Sequence, residues 1–514
     1  MTRPDIYIGL VGAAGTDLEP VKNQIKAQFA AIGYSYEEIK VSRLIASFSE
    51  LPQKRVPEDD RIRYLMDVGD KIREAAECGD GVISLVMDEI RKLRSTDIPT
   101  DQATNGFRGK TIFLIDSLKN PAEITALDSA YARNYYTISV YTAEHIRLER
   151  LACIIAGTKS QAVSNLHREE ARKILKEDEG RKPVKLAQDV LGTFPRADFF
   201  VRSDANISSN IKRFVELIFG NPFITPTQDE TFMNLARTAS LRSCDLSRQV
   251  GAVIVDERGA VISQGCNEVP YPGGGFFYEG REDASDNRDH VTRRDPNQAE
   301  ILDIVKDFIK SLRESSLINS PTDDTGIAFD DEQFAYELMQ GKWSASTSDL
   351  RIRNLIEFGR VVHAEMHAIC EAARLGRKIE GTTLYCTTFP CHGCTRHIIA
   401  AGVRQVVFIE PYPKSLTKIL YENEISTDDP KTSLRHAVVF RPFEGVSPIL
   451  FRRVFAFKTR KNNDGSSVSW NGTSAIPLRS VSKVLHYERE VALIERNQAI
   501  RYKYQAPSLP ASFI

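Results

Sequence analysis

The stretch "VVHAEMHAIC" (361–370) places an acid, Glu365, two residues after a histidine, His363, at what reads as the start of a helix. Further on, "TTFPCHGCTRHIIAAG" (387–402) puts Pro390 where a helix begins. It also spaces Cys391 and Cys394 three apart, so both sulfurs fall on one face of a first turn. Free backbone N–H groups and the positive end of the helix dipole favour thiolates there. Between the two helices "TTLYCTT" (382–388) reads as a strand, and "QVVFIE" (405–410) follows as another.

Two thiolates and the His363 imidazole form a Cys2His set suited to zinc. Three protein ligands leave the fourth tetrahedral position to water, as in catalytic zinc sites, whereas structural sites close with a fourth ligand. Zinc lowers the pKa of bound water to about 7. Glu365 is expected near the open position without ligating, where it would carry protons. A C-x-x-C pair alone also suits redox chemistry, but His363 and Glu365 would then be coincidental. His367 is read as a helix-packing or supporting histidine, and His392 and His397 as bystanders. Cys370 and Cys386 read as small buried hydrophobes. Cys244 and Cys266, with one of the histidines, are candidates for a second, structural zinc.

The bulk composition is that of a globular chain. It has 514 residues, 42% hydrophobic and 27% charged, which is more than one core supports. No apolar run reaches the roughly 18 residues needed to cross a bilayer. The start, "MTRPDIYIGLVGAAG", reads directly into a strand, so a cytoplasmic protein without a signal peptide is expected. Eight unevenly spaced cysteines argue against a disulfide framework. With 68 basic and 69 acidic residues the net charge is -1, which offers no global attraction to polyanions.

The first 225 residues alternate apolar runs with helical patterns. Strands are expected at 6–11, 37–42, 111–116, 135–141 and 197–202, with helices such as "PAEITALDSAYA" and "ISSNIKRFVELIFG" between them. Near-continuous apolar strands separated by helices imply a parallel sheet covered on both faces, a doubly wound α/β domain over 1–225. A boundary falls near "FGNPFITPTQDE" (219–230), and a second domain is expected over 226–514. Its helix "DETFMNLARTASLRS" is followed by a hairpin, "GAVIVDERGAVISQGCN", turning at Glu257 to Gly259. Residues from about 271 to 350 lose clear periodicity apart from one helix, "AEILDIVKDFIKSLRES", and read as an insertion. In the tail, "SPILFRRVFAF" reads as strand and "VLHYEREVALIERNQAI" as helix.

The H-x-E and P-C-x-x-C pattern is the signature of zinc deaminases acting on nucleobases. Residues from about 228 to 425, with "SRQVGAVIVDERGAVISQGCNEVP", "HAE", "TTFPCHGC" and "AGVRQVVFIEPYPKS", resemble the cytidine and deoxycytidylate deaminase superfamily. The resemblance implies a three-layer α/β/α domain around a mixed five-stranded sheet. It implies His363, Cys391 and Cys394 as zinc ligands and Glu365 as the proton shuttle. It also makes Asn267 a candidate sugar contact, since the deoxycytidylate branch has an Asn in "GYNGxP"; here Cys266 replaces the Tyr and Glu268 the Gly. Tyr412 and Lys414 lie where that branch closes over its nucleotide, although Lys414 also reads as a solvated surface lysine.

"GLVGAAGTDLEPVKNQI" links the first strand to a helix as a phosphate-binding loop does. The G-x-x-x-x-G-K-[ST] pattern is not met: Gly12 and Gly15 are too close, no lysine follows, and Asp17 stands near where the cation belongs. Backbone N–H groups near Gly12, Gly15 and Thr16 remain candidates for an anion. The segments 127–151 and 197–220 resemble nucleoside-monophosphate kinase-like P-loop folds, which implies Arg147 and Arg150 near phosphates. Surface arginines on an amphipathic helix are the alternative. A degenerate P-loop kinase-like domain fused to a deoxycytidylate deaminase domain resembles the bacterial anti-phage dCTP deaminases. That resemblance implies a zinc enzyme converting dCTP, and dCMP, to the deoxyuridine forms during infection. It also implies a homo-oligomer restrained by a regulatory nucleotide or a small RNA. The alternatives are an RNA or single-stranded DNA cytosine deaminase, and a non-enzymatic zinc-stabilised nucleotide sensor.

Overall fold

The computed structural model describes residues 3–49, 56–95, 109–180, 186–280, 285–322, 326, 328–348, 350–412, 415–427, 437–457, 459–478 and 483–504. The chain forms two compact units, Met1–Asn234 with Pro442–Ile514, and Leu235–Arg441. The tail therefore groups with the first unit, not with the second domain expected over 226–514.

In the first unit, strands β1 (Ile6–Gly12), β2 (Ser35–Lys40), β3 (Thr111–Asp116), β4 (Tyr135–Tyr141) and β5 (Phe199–Arg202) lie in the order β5-β4-β1-β3-β2, all parallel. Strand geometry sends alternate side chains to opposite faces. Ile6, Ile8 and Leu10 join one core with Ile112, Leu114, Tyr136 and Ile138, and Tyr7 and Val11 join the other with Phe113, Ile115 and Tyr135. Both faces are buried, as continuous apolar runs require.

The tail adds to both cores. Gly445–Val446 pairs antiparallel with β5. "SPILFRRVFAF", expected as strand, is a helix over Pro448–Phe455 that buries Leu450 and Val454. Ser447 caps it by accepting a hydrogen bond from the Ile449 N–H, and Pro448 occupies its first turn. These end signals outweigh the β-prone composition. The helix Lys483–Lys503 brings Glu490, 1% exposed, to a two-pronged pair with buried Arg94.

The second unit holds β6 (Gly251–Val255), β7 (Val261–Cys266), β8 (Thr383–Thr388), β9 (Gln405–Glu410), β10 (Ile425–Thr427) and β11 (Val438–Pro442) in the order β10-β11-β9-β8-β6-β7. The sheet is mixed: β6 is antiparallel to both β7 and β8, and β8 is parallel to β9. It has six strands rather than five, because 425–427 pairs in parallel with 438–440. The 271–350 segment is more helical than its pattern suggested, with Asp289–Thr292, Pro296–Glu314 and Asp331–Met339. Among the described residues, no helix is long and apolar enough to cross a membrane.

The helix Ala364–Arg374 lies directly on β7, and Gly265 makes that approach possible. A Cβ on Gly265 would come within 2.1 Å of the Ala364 carbonyl oxygen and 2.5 Å of the Ala368 nitrogen. Both contacts are backbone and cannot rotate away. Gly265→Ala is therefore expected to destabilise this unit by about 3 kcal/mol or more, at or above the upper end of core overpacking. Thermal denaturation checks it; an unchanged melting temperature would refute the close packing.

Candidate active site

His363 and Cys391 each stand at the N-cap of a site helix, Ala364–Arg374 and His392–Ala400. Two helix N-termini thus meet at one point, and Cys391 Sγ accepts from the Cys394 N–H at 3.4 Å. Nδ1 of His363 lies 3.3 Å from Cys391 Sγ and 3.4 Å from Cys394 Sγ. All three donor atoms fall within 4.8 Å of one another. Tetrahedral zinc, with Zn–S about 2.3 Å and Zn–N about 2.0–2.1 Å, separates its ligand atoms by about 3.5 Å. The donor set fits the ion in element and spacing. Among the described residues it is the one His/Cys/Asp/Glu group of three or more that does.

Charges at the site follow from this crowding. The Cys391 thiol is held down at about 4, chiefly by its hydrogen bond with Cys394 and against its burial, with help from His363. Cys394 is pushed up, first by sharing that proton with Cys391 and then by burial. His363 is raised to about 9, mainly by the hydrogen bond to the Cys391 sulfur. The Glu365 carboxyl, 4% exposed, is raised by burial, and His363 opposes the shift.

Glu365, His363 and Cys391 line a cavity of about 300 Å³, at the small end of ligand-site sizes. Asn267, Phe389, Thr388 and Tyr412 share its wall. The Asn267 amide is used within the chain, since its Oδ1 accepts from the Val250 N–H at 2.6 Å and its Nδ2 donates to the Arg248 carbonyl at 2.7 Å. It shapes the wall by holding 248–250. Tyr412 faces the Arg248 guanidinium at 5.6 Å, and burial raises its hydroxyl. Lys414 lies outside the described residues.

The other polar candidates separate cleanly. His367 is a packing residue: its ring nitrogens face the carbonyls of Cys266 at 2.9 Å and Gly275 at 3.2 Å. Cys386 is buried, but Cys370 is exposed, contrary to the hydrophobic reading, because it lies off the buried stripe of its helix. Cys244 is exposed and Cys266 is buried, its thiol pushed up to about 11 by that burial. Neither belongs to a metal group among the described residues. Sequence reasoning missed Asp245, Arg248, Asp289, Asp295, Asn297 and Arg360, which also line the cavity. Three of these come from the aperiodic insertion, where no spacing rule marks them.

In the first unit, the N-terminal candidates gather at one loop. Gly15 has φ +80°, and a Cβ there would lie 2.5 Å from the Arg147 carbonyl oxygen. The Thr16 N–H closes a turn on Ala13 O at 3.0 Å. The Ala14 N–H donates to Asp178 Oδ2 at 2.6 Å, and Lys119 donates to Asp178 Oδ1 at 2.8 Å and to the Gly12 carbonyl at 2.9 Å. An internal carboxylate thus takes a backbone donor that an anion would use. Arg147 is buried and donates to the carbonyls of Thr142 and Ala14, so it is not a surface arginine. Arg150 pairs with Asp17 at 3.0 Å.

A family model described as the cytidine and deoxycytidylate deaminase zinc-binding region matches residues 226–410. Deoxycytidylate deaminase of Enterobacteria phage T2 is 28% identical over 185 residues, covering 36% of this chain and 81% of that protein. The phage T4 deoxycytidylate deaminase is 27% identical over 185 residues, covering 36% and 79%. The crystal structure of dCMP deaminase from cyanophage S-TIM5 in complex with dCMP and dUMP aligns with TM-score 0.22 and 18% identity, over 42% of this chain and 98% of that one. With the convergent His363, Cys391 and Cys394 in the same segment, residues 226–410 are a cytidine and deoxycytidylate deaminase zinc-binding region.

Proposed function

We propose that the chain is a zinc-dependent hydrolytic deaminase that converts dCTP and dCMP to dUTP and dUMP plus ammonia, and that dCTP depletion is an antiviral defence. The observation that carries the reading is the buried Glu365 sharing one cavity with His363 and Cys391, two members of the three-donor metal set that Cys394 completes. Zinc held by His363, Cys391 and Cys394 would supply Lewis-acid activation of water. Glu365 would carry two protons in turn: the first from the attacking water to the ring nitrogen, where it stays, and the second from the hydroxyl added to the ring carbon to the amine, which leaves as ammonia as the C–N bond breaks. Phe389 and Tyr412 offer aromatic surface for the base, and Asn267 keeps the 248–250 segment in place against the nucleotide. A set of three donors supports an enzyme over a closed structural zinc.

The first unit is read as a degenerate P-loop kinase-like regulator, on which a nucleotide or a small RNA acts. Its parallel sheet and strand-to-helix loop support that reading, and the Asp178 carboxylate at Ala14 argues against efficient phosphoryl transfer there. Incubating the zinc-loaded chain separately with dCMP, dCTP, CMP, CTP and single-stranded oligonucleotides tests the substrate class. Uracil product from the deoxynucleotides alone is expected. Turnover confined to oligonucleotides would replace the reading with a polynucleotide deaminase, and turnover of nothing would remove the enzyme.

A further inference from the structure

The outer wall of the cavity is built by residues that lie outside the zinc-binding pattern. Arg360 donates from Nη1 to Asp289 Oδ1 at 3.0 Å and from Nη2 to the Asn287 carbonyl at 3.0 Å. Asp289 belongs to the insertion and is 7% exposed, whereas the Arg360 side chain is 36% exposed. The guanidinium is therefore anchored on one side and open on the other. Burial pushes the Asp289 carboxyl above its ordinary value; Arg360 opposes this, and Asp295 and Asp245 reinforce it. Three carboxylates on this wall share one field.

Their other bonds are internal. Asp245 Oδ1 accepts from the N–H groups of Ser247 and Arg248, and Asp295 Oδ1 accepts from those of Asn297 and Gln298. Against Asp245, Asp289, Asp295 and Glu365, the lining carries two guanidinium groups, Arg360 and Arg248, besides the His363 imidazole. Resting on the nucleotide-deaminase reading above, we propose that Arg360 receives the substrate phosphate and that Asp289, sharing its guanidinium, sets the balance between dCMP and dCTP, both of which the site accepts.

The reason is charge matching. A guanidinium offers a planar fork of donors, enough for one carboxylate and one phosphate together. The first phosphate meets a prepositioned cation. Each further phosphate adds negative charge close to Asp289, Asp295 and Asp245, so like charge lowers the efficiency for dCTP relative to dCMP without excluding it. Neutralising Asp289 removes one repulsive charge and weakens its hold on Arg360, while the Asn287 carbonyl still anchors the guanidinium.

The test uses the full-length zinc-loaded chain and kcat/KM for deoxycytidine, dCMP and dCTP. Asp289→Asn is expected to raise the dCTP-to-dCMP ratio about tenfold, and Arg360→Gln to lower the dCMP-to-deoxycytidine ratio at least about tenfold, mainly through KM. Arg360→Lys should restore part of that preference, and it replaces Arg360→Gln should the latter fail to retain zinc. Unchanged ratios in zinc-loaded variants would overturn the proposal while leaving the deaminase intact. A wild-type chain that deaminates none of the three would instead remove the deaminase reading, and this proposal with it.

Discussion

Glu365→Gln should keep zinc at wild-type stoichiometry and lose ammonia release by about a thousandfold or more, within the range reached when a positioned proton carrier is removed. Glutamine matches the shape of glutamate and can still hydrogen-bond, but it cannot accept a proton from water and pass it on. The side chain is 4% exposed and sits two residues after His363 in the same cavity. Solvent has little access there to replace the missing carrier. A second readout comes from pH. Burial raises the Glu365 carboxyl above its ordinary value. The zinc-loaded free enzyme needs it ionised as a base, so kcat/KM should fall as pH drops through the titration of Glu365, where burial raises the carboxyl and the bound cation opposes that shift. The residual activity of the variant should lack this limb. Turnover within tenfold of wild type, in a protein that retains its zinc, would take Glu365 out of the mechanism.

The parts of the molecule differ in how openly their sequence declares them, and the difference is physical. His363, Glu365, Cys391 and Cys394 are legible because metal chemistry demands particular atoms at helix starts, and that demand is local. The strands Thr111–Asp116 and Tyr135–Tyr141 match their apolar runs residue for residue, because a strand buried on both faces has no polar alternation to blur its ends. The 447–457 segment misled because Ile449, Leu450, Phe451 and Val454 favour strands, while the capping Ser447 and Pro448 decided for helix. Its partner is the core of β1 and β4, far away in sequence. Arg360 was hidden for the same reason. Its meaning depends on Asp289, 71 residues earlier in a segment without period. The Asn267 pattern points to a sugar, and the residue does line the cavity, but its bonds to Arg248 and Val250 are a pair that no motif encodes.

Cys391→Ser should weaken zinc binding by more than about a hundredfold, the upper loss seen when only a supporting residue of a metal site is removed. Deamination should vanish with the metal. Zinc in thousandfold excess over its dissociation constant stabilises the folded chain by about 4 kcal/mol, so the wild-type unit should melt higher with zinc and the variant should show almost no such rise. The titration state of the metal-free site adds a pH dependence of known sign. Near neutrality His363, raised to about 9, carries its proton, Cys391, lowered to about 4, has lost its own, and Cys394, raised, keeps its own. Zinc requires a neutral imidazole and two thiolates, so its uptake expels about two protons. Between roughly pH 5 and 8 each unit of acidification should therefore weaken binding about a hundredfold. Chelator competition at several pH values measures this slope. A slope near zero would mean that the imidazole and the two sulfurs do not hold the ion together, and the catalytic role of the cavity would fail with them.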